Sequence, residues 1–408
     1  MTPQIKQRIE QIRRGEIPEG YKKTKVGIVP EEWEEGFLGN YIQEYKELSN
    51  DIEKYPVYSS SRQGLIPQSL YFDNREAVET NLGYKIVPNG YVTYRHMSDD
   101  DLFHFNVNNT GGEILVSSEY PVFSSTKKSS LGYIIPMLND TARFRYFCRT
   151  QKMGGTRTRL YYKNLCNYKS VFPPLAEQEK IVEILQAQDK LIELQQKKID
   201  ELKRLKKVYL SKMFPKKGCN VPEIRFPGFT DPWEQRKFEE IAVRSSVICS
   251  DDTLPRVEYE DIVSGTGRLN KDIYAKQSSK SGIAFHQGDV LYGKLRPYLQ
   301  NWLLPTFDGL AVGDFWVLQP QNADGSFLYR LIQSRQFDEV ANQSTGTKMP
   351  RADWKLVSKT VFSIPSNISE QAAIGTYFTA LDSLITLHQR KLEEEQKKKK
   401  ALMQFLLT

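Results

Sequence analysis

Residues 175–214 read LAEQEKIVEILQAQDKLIELQQKKIDELKRLKKVYLSKMF, and this stretch predicts one long α-helix. It contains no proline or glycine, and nearly all of its residues are strong helix formers. At about 1.5 Å per residue the helix would be roughly 60 Å long, far longer than an ordinary globular helix. Leu185, Ile192, Ile199 and Leu202 recur at seven- and three-residue spacing, so one narrow side is apolar. A stripe this narrow predicts pairing with one other long helix.

The chain supplies a second helix of the same kind. Residues 369–407 read SEQAAIGTYFTALDSLITLHQRKLEEEQKKKKALMQFLL, and they match the first stretch when shifted by 193 positions. Two unrelated amphipathic helices would also align loosely, but the shared register at the start, middle and end favours an internal repeat. The segments around Trp33 and Trp233 also match, 200 positions apart. Matching positions in the helices are Glu177 and Glu370, Gln178 and Gln371, Asp189 and Asp382, Leu191 and Leu384, Ile192 and Ile385, and Lys198 and Lys391.

The sequence before each long helix has a different residue pattern. From Tyr41 to Phe172, and again from Val257 to Ile364, short β-branched and aromatic runs alternate with glycine, asparagine and proline, which is typical of short strands. We therefore predict an α+β protein of β-rich domain, long helix, β-rich domain and long helix. The predicted divisions are an N-terminal helical segment (1–27, with a short amphipathic helix over 4–14), domain one (28–172), helix one (173–214), domain two (215–365) and helix two (366–408).

Composition restricts the class of protein. The chain has 408 residues, a net charge of +7 and 39% hydrophobic residues, which is compatible with a globular protein and with a nucleic-acid partner. No apolar run is long enough to span a membrane, and the N-terminus has no signal-peptide pattern. Four scattered cysteines without paired spacing argue against a zinc site or disulfide framework, and they predict reduced thiols in the cytoplasm.

No stretch predicts a catalytic centre. The segment Gly288–Leu295 resembles a phosphate-binding loop, but leucine stands where the magnesium-binding Ser or Thr is needed. The four histidines have no triad or metal spacing, and neither a dinucleotide fingerprint nor an Asn-Pro-Pro-Phe/Tyr methyltransferase motif occurs. The acidic run Asp99–Asp101 is interpreted as a solvated turn. We therefore predict a chain that is not itself an enzyme and holds no metal or cofactor.

Binding signals are stronger, because cations and aromatic residues stand on Gly- and Pro-rich loops in both halves. Lysine and threonine in such loops suit phosphates, and arginine suits the guanine edge. Ordinary surface charge explains any single residue equally well, so the prediction depends on matched loops: Gly155-Thr156-Arg157 aligns with Gly346-Thr347-Lys348. The candidate DNA-binding residues are Arg157, Arg159, Lys294, Arg296, Tyr298, Lys348 and Arg351.

Three stretches, Pro173–Ile181, Gly293–Tyr298 and Gly346–Arg351, together with the repeated domain–helix order, resemble the DNA-specificity subunits of type I restriction–modification enzymes. The resemblance covers essentially the whole chain. It departs at Pro365–Gln371, which lacks the Pro-Pro-Leu of the first helix start, and at Gly154–Arg159, which lacks the Lys-Met-Pro continuation.

The resemblance implies that each β-rich domain is a target recognition domain that reads half of a bipartite site in double-stranded DNA. It also implies that the long helices pair antiparallel as a coiled coil with pseudo-two-fold symmetry, set the distance between half-sites and carry methyltransferase subunits. Those partners would bind S-adenosylmethionine, and restriction/motor subunits would use ATP and Mg²⁺; no membrane partner is implied. Two alternatives remain: a coiled-coil scaffold that binds only protein, and a self-contained DNA methyltransferase or nuclease.

Overall fold

The computed structural model describes residues 3–68, 83–152, 154–275, 279–343 and 349–407, and the chain divides into two compact units. Unit 1 is Met1–Glu193 with Glu393–Thr408, and unit 2 is Leu194–Leu392. The long helices run Leu175–Lys212 and Ile368–Leu406, so each unit contains a β-rich part and a portion of both helices. The predicted α+β class with two β-rich regions and two long helices is confirmed.

Unit 1 is built on two antiparallel sheets. The strand order is Asn106–Val107, Val92–Thr93, Val122–Ser125 and Ile42–Tyr45 in one sheet, and Ile114–Ser117, Tyr84–Val87 and Leu48–Ser49 in the other. The described residues of unit 1 also form four two-stranded ladders: Tyr21–Lys23 with Ile28–Pro30, Glu34–Phe37 with Lys169–Phe172, Tyr58–Ser61 with Gly64–Pro67, and Met97–Ser98 with Thr158–Arg159. Its shorter helices are Pro3–Arg13, Leu131–Asp140, Ala142–Thr150 and Tyr162–Cys166, with a 3-10 turn at Leu38–Asn40.

Unit 2 repeats this plan. Its sheets run Trp302–Leu303, Val290–Gly293, Phe315–Pro320 and Ala242–Ser245, and Arg256–Glu258, Gly309–Val312, Gly282–Phe285 and Ile248–Cys249. Its two-stranded ladders are Glu234–Lys237 with Val361–Ile364 and Ile262–Val263 with Arg268–Leu269. Its helices are Phe238–Ile241, Gly325–Leu331, Arg335–Ala341 and Trp354–Lys359, with 3-10 turns at Tyr259–Asp261 and Pro297–Leu299.

The strand order confirms the internal repeat. In the four-stranded sheet of unit 1, the strands stand in the same order as their counterparts in unit 2. The second sheets also correspond, except that unit 2 has a parallel edge strand, Arg256–Glu258. Among the described residues of unit 1, a single parallel bridge stands at that edge, between Val57 and Leu115. The two β-rich regions therefore have one topology despite their divergent loops.

The long helices run antiparallel within each unit. In unit 1, Ile181 and Leu185 belong to one core with Leu402 and Leu406. In unit 2, Leu202 shares a core with Leu381 and Ile385, nearer the other end of the second helix. One ion pair recurs in both units: Lys399 Nζ lies 2.5 Å from Asp189, and Lys206 Nζ lies 2.7 Å from Asp382. These equivalent residues are 193 positions apart, as the repeat requires.

A tryptophan and a glutamate fasten each long helix to its β-rich part. The indole N–H of Trp33 donates to Glu177 at 3.0 Å, and that of Trp233 donates to Glu370 at 3.2 Å. In unit 2, Arg225 also makes two hydrogen bonds to the Glu370 carboxylate, each 2.7 Å long. The two repeats detected in the sequence, offset by 200 and 193 positions, thus meet in one contact.

The glutamine that follows each glutamate forms a second fastening. The side-chain amide of Gln178 donates to the carbonyl of Pro173, and that of Gln371 donates to the carbonyl of Pro365. Each amide oxygen accepts a backbone N–H from the residue that precedes a short helix of the β-rich part. Those residues are Ser130 in unit 1, at 3.0 Å, and Asp324 in unit 2, at 2.8 Å.

The N-terminal helix Pro3–Arg13 forms where the sequence predicts it, and none of its residues is buried. Its isoleucines are therefore not part of the core of unit 1. Among the residues that the structure describes, no helix is long and apolar enough to cross a membrane. The boundaries predicted for the five sequence divisions stay predictions.

Candidate nucleic-acid interface

In unit 1, the predicted arginine loop ends in a short ladder. Met97 pairs with Arg159, and Ser98 pairs with Thr158, which brings the loop beside Asp99–Asp101. Arg157 Nε donates to the Asp99 carboxylate at 2.8 Å, and both side chains are mostly exposed. The Thr158 hydroxyl donates to Asp101. The Arg159 side chain forms no hydrogen bond or ion pair with any other described residue.

Asp99–Asp101 forms a bend in which Asp99 and Asp100 are exposed, as the interpretation of a solvated turn expects, and its carboxylates also bind side chains from other segments. Besides the contacts of Asp99 and Asp101, the Asp100 carboxylate binds Arg62 at the tip of a hairpin and accepts from the Ser98 hydroxyl at 2.8 Å. The hydrogen bond from Arg62 is the main cause that lowers the pKa of Asp100 to about 2. The donors Arg62, Thr158 and Arg157 lie 38 to 58 positions away in the sequence, so the acidic run alone does not reveal these contacts.

A buried histidine stands behind this loop. His96 is 2% exposed, its ring stacks on Tyr161 with centroids 5.2 Å apart, and its Nδ1 has no partner among the described residues. Burial lowers the pKa of His96; Glu119 acts against this, whereas Arg159 adds to it. The imidazole therefore stays neutral more readily than an exposed one, and it supports the ladder that carries Arg159.

In unit 2, the backbone joins two predicted binding loops that are far apart in sequence. Leu295 and Arg351 form an isolated antiparallel bridge, and the Arg296 N–H donates to the Pro350 carbonyl at 2.7 Å. Arg351 then donates to the Asp314 carboxylate at 3.2 and 3.4 Å, while Lys294 Nζ lies 3.6 Å from the same group. Burial raises the pKa of Asp314, but Arg351 and Lys294 together hold it below its usual value.

The loop between Lys294 and Tyr298 has an unusual backbone. Arg296 adopts a left-handed conformation with φ of +46°, which costs free energy in any residue with a side chain. Its Nε is buried and has no partner among the described residues. Tyr298 follows in a 3-10 turn with 56% of its surface exposed. The predicted cation and aromatic residue thus occupy a rigid turn next to Arg351.

A groove of about 400 Å³ opens beside these loops, and sequence reasoning found only part of it. Arg244 lies over the ring of Trp354, with its guanidinium carbon 5.0 Å from the ring centroid. Trp354 in turn meets Trp316 edge to face, with centroids 5.2 Å apart. Arg244, Trp354 and Lys355 stand alone in the sequence, outside any Gly-rich loop, so no local signal marked them. The groove is lined by Arg244, Lys294, Trp316, Arg351, Ala352, Asp353, Trp354 and Lys355.

Lys348 lies outside the described residues, and so do its neighbours in 344–348. Its role therefore stays a prediction. The chain is described again from Met349, two residues before Arg351. The other six candidates fall into two groups, Arg157 with Arg159 in unit 1, and Lys294, Arg296, Tyr298 and Arg351 in unit 2. Their contacts with DNA also stay predictions.

The resemblance of residues 288–295 to a phosphate-binding loop has a structural explanation. Val290–Gly293 is a fully buried strand that pairs with Trp302–Leu303 and Phe315–Pro320. A phosphate-binding loop needs free backbone N–H groups ahead of a helix, and a strand paired on both sides offers none. Across the described part of the chain, no group of His, Cys, Asp or Glu side chains is arranged to hold a metal ion.

The two loop clusters occupy equivalent positions. In each unit, a segment that follows an inner strand of the four-stranded sheet pairs with a segment that precedes the last short helix before the long one. Both clusters present an arginine beside an aspartate, together with a second, exposed cation. In protein–DNA complexes, arginine can donate paired N–H groups to a base edge, and lysine and arginine contact phosphates.

The chain is similar to known DNA specificity subunits. Residues 30–204 match the family model of the type I restriction modification DNA specificity domain. Over 433 aligned residues the chain is 23% identical to the MjaVIII specificity subunit of a type I restriction enzyme from Methanocaldococcus jannaschii, covering 96% of this chain and 95% of the relative. The EcoDI specificity subunit of Escherichia coli is 25% identical over 155 residues, which cover 36% of this chain and 35% of the relative.

Solved structures show the same fold. A type I restriction-modification S subunit from M. genitalium superposes with a TM-score of 0.54 at 12% identity, covering 92% of this chain and 96% of that one. A chain from a study of complex assembly and conformational transition of the type I R-M system superposes with a TM-score of 0.55 at 13% identity, covering 93% of this chain and 98% of that one.

Proposed function

We propose that the chain is a non-catalytic DNA specificity subunit of a type I restriction–modification system, and that its two units read the two halves of a bipartite site in double-stranded DNA. One observation carries this proposal: two β-rich parts of one topology present different arginine loops at the same position of the fold. Two readers on one chain bind more tightly than either alone, since the first contact raises the effective concentration of the second.

We propose methyltransferase subunits as the partners of the long helices. Leu191 is 44% exposed in unit 1, and its equivalent Leu384 is 45% exposed in unit 2, so each unit keeps an outward-facing leucine at the same helix position. A leucine that is retained at equivalent surface positions fits a contact with a partner. A base must leave the duplex before it is methylated, which requires the methylating subunit beside the reader.

In this arrangement the partners contribute the chemistry. Methyltransferase subunits bind S-adenosylmethionine, restriction/motor subunits use ATP and Mg²⁺, and the chain itself needs no cofactor. The described cysteines are all outside disulfide bonds, which is compatible with the reducing cytoplasm.

The test begins with the purified chain, S-adenosylmethionine and duplex DNA, with and without a methyltransferase subunit from the same organism. We expect methyl transfer only when that subunit is present, and methylated adenines that map to one two-part sequence. Methylation by the chain alone would instead indicate a self-contained enzyme. A chain that binds the subunit but retards no duplex in a gel, alone or in the complex, would be a protein scaffold.

A further inference from the structure

In both units, a carboxylate holds one candidate arginine, while a cation a few positions away, Arg159 in unit 1 and Lys355 in unit 2, forms no ion pair with any described residue. In unit 2, Asp314 lies at the centre of this arrangement. Its carboxylate accepts two hydrogen bonds from Arg351, and its own carbonyl accepts the backbone N–H of Lys294 at 2.9 Å. The Asp314 side chain is 29% exposed and that of Arg351 is 53% exposed. The aspartate is therefore fixed by the fold, and the arginine that it orients still faces solvent.

Unit 1 reaches the same arrangement from unrelated residues. Asp99 accepts from Arg157 Nε at 2.8 Å, while the adjacent Asp101 and Thr158 tie the two segments together. Only one edge of the Arg157 guanidinium is engaged, and its side chain remains 53% exposed. Because the loops of the two units have different sequences, the second occurrence is an independent observation.

Such a pair has two consequences for DNA binding. The carboxylate cancels most of the attraction between its arginine and any phosphate, so binding to arbitrary sequences weakens. It also fixes the guanidinium plane, which lowers the entropy lost when the remaining N–H groups meet a guanine edge. An exposed cation without such a partner keeps its full attraction for phosphate and carries no sequence information.

We infer that Arg157 and Arg351 read base edges, and that Asp99 and Asp314 are the positioning residues that make these arginines selective. Guanine is the base class that this geometry suits, because its O6 and N7 accept both donors of one guanidinium edge. This assignment rests on the proposed DNA-recognition function and deepens it, since it divides the cations of each unit between base and backbone contacts.

The chain provides its own matched controls. Arg159 lies two positions after Arg157, and Lys355 lies four positions after Arg351; the side chains of both form no ion pair with any described residue. These two cations are assigned to phosphates. In unit 2, Glu234 offers a control for the charge change itself, because it binds Arg236 through two hydrogen bonds of 2.6 and 2.9 Å outside the groove lining.

The experiment uses the full chain assembled with its methyltransferase subunits and a library of randomised duplexes. Binding selection gives the preferred sequence of each variant, and titration with unselected duplex at several salt concentrations gives the non-specific affinity. The variants are Arg351→Ala, Asp314→Asn, Asp314→Glu, Arg157→Ala, Asp99→Asn, Arg159→Ala, Lys355→Ala and Glu234→Gln.

We expect Arg351→Ala and Arg157→Ala each to lose the base preference at one position in its own half-site, with specific affinity falling between about fivefold and about a hundredfold. Asp314→Asn and Asp99→Asn should weaken the base preference at the same positions of the DNA site. They should also raise non-specific affinity up to about fivefold. Asp314→Glu, which keeps a carboxylate, should recover much of the preference. Arg159→Ala and Lys355→Ala should weaken binding to all DNA sequences alike and reduce the slope of log affinity against log salt by about one. Glu234→Gln should change neither the affinity nor this slope.

The outcomes distinguish a failure of this residue assignment from a failure of the proposed DNA-recognition function. A wild-type complex that enriches no sequence would overturn the proposed function and this assignment with it. A wild-type motif that survives both aspartate-to-asparagine changes, with unchanged non-specific affinity, would leave the function standing and overturn the assignment. If one asparagine variant fails to fold, the variant in the other unit decides the outcome.

Discussion

Arg296 combines a strained backbone with a partly buried position on a candidate binding loop. Non-glycine residues with positive φ cluster at functional sites, where the surrounding structure compensates for the strain. Here the compensation is visible: the Arg296 N–H is bonded to Pro350, and its carbonyl accepts from Leu299 at 2.8 Å. The loop that carries Tyr298 is thereby joined to the loop that carries Arg351.

Replacing Arg296 with glycine and with alanine separates backbone from side chain. Both changes remove the guanidinium, but only glycine adopts φ of +46° without a steric penalty. We expect Arg296→Gly to be more stable than Arg296→Ala by about 1 kcal/mol in urea unfolding. DNA affinity should fall equally in both variants. Equal stability of the two would show that the turn is not strained, and unequal affinity would show that loop geometry matters more than the guanidinium.

His96 makes the stability of unit 1 depend on pH. Burial holds its pKa below 6.5, so as the pH falls the unfolded chain binds a proton before the folded chain does. The stabilising contribution is therefore complete above about pH 6.5 and is lost below it, with a limiting slope of about 1.4 kcal/mol per pH unit. His104, whose pKa is also lowered by burial, adds to the same trend.

The change His96→Phe preserves the stacking on Tyr161 and removes one titrating group. We expect its unfolding free energy to fall less steeply than that of the wild type between pH 6.5 and pH 5, leaving the slope due to His104. Urea unfolding at several pH values measures this. If the unfolding free energies of wild type and variant change in parallel with pH, His96 has the same pKa in the folded and unfolded states, and this account is wrong.

At the scale of elements, the Glu-Gln pair that begins each long helix explains why the repeat is visible in the sequence. The glutamate accepts a hydrogen bond from the tryptophan indole. The glutamine side chain bonds both to the proline after the last strand and to the start of a short helix. Gln178 is 0% exposed and Gln371 is 1% exposed, so each side-chain amide supplies hydrogen bonds to backbone groups that water cannot reach. The Glu-Gln pair makes the same contacts in both units, so its sequence recurs. The candidate binding loops do not share such contacts, and their sequences differ.

Replacing Gln371 with alanine should destabilise unit 2 by about 2–4 kcal/mol, because it leaves the Pro365 carbonyl and the Asp324 N–H buried without partners. The equivalent Gln178→Ala should affect unit 1 by a similar amount. Gln196, on the exposed side of the first helix, bonds only to Asp200, and Gln196→Ala should cost only a few tenths of a kcal/mol. A Gln371→Ala variant as stable as Gln196→Ala in urea unfolding would contradict this account.

The helix pair is not equally apolar in the two units. Gln188 is 4% exposed and donates to the Glu395 carboxylate at 2.6 Å in unit 1, whereas the equivalent positions in unit 2 are Leu381 and Leu202. The hydrogen bond from Gln188 is the main cause that lowers the pKa of Glu395. A polar layer in an otherwise apolar helix pair fixes register at some cost in stability. The contact between Gln188 and Glu395 adds such a layer in unit 1 at the level where unit 2 has two leucines.

How much was predictable from the sequence depends on the range of each interaction. The long helices, their repeat and the alternation with β-rich regions follow from local propensity and periodicity, which one sequence displays directly. The order of two- to six-residue strands depends on pairings far along the chain and was left unspecified. Among site residues, the Gly- and Pro-rich loops marked Arg157, Lys294 and Arg351. The carboxylates that hold them come from distant segments, 58 positions away for Asp99 and 37 for Asp314.

At the scale of the whole molecule, the long helices offer a test of how the two half-sites are spaced. Both helices pass from one unit into the other, at Glu193–Leu194 and at Leu392–Glu393. The contacts between Gln188 and Glu395 and between Gln195 and His388 each lie within one unit. Four residues inserted at both points therefore lengthen each helix by about 6 Å and break none of these contacts.

The insertion should leave both half-site sequences unchanged and lengthen the unread DNA between them by one or two base pairs. Six ångströms is close to two base-pair steps of roughly 3.4 Å, and the added rotation of about 40° is close to the roughly 34° twist of one step. Mapping methylated adenines for the variant assembled with its methyltransferase subunits measures the spacing. Four residues inserted after Gly218, in the exposed connection beyond the first helix, serve as the control and should leave it unchanged. An active double-insertion variant with the wild-type spacing would mean that something other than helix length sets the distance.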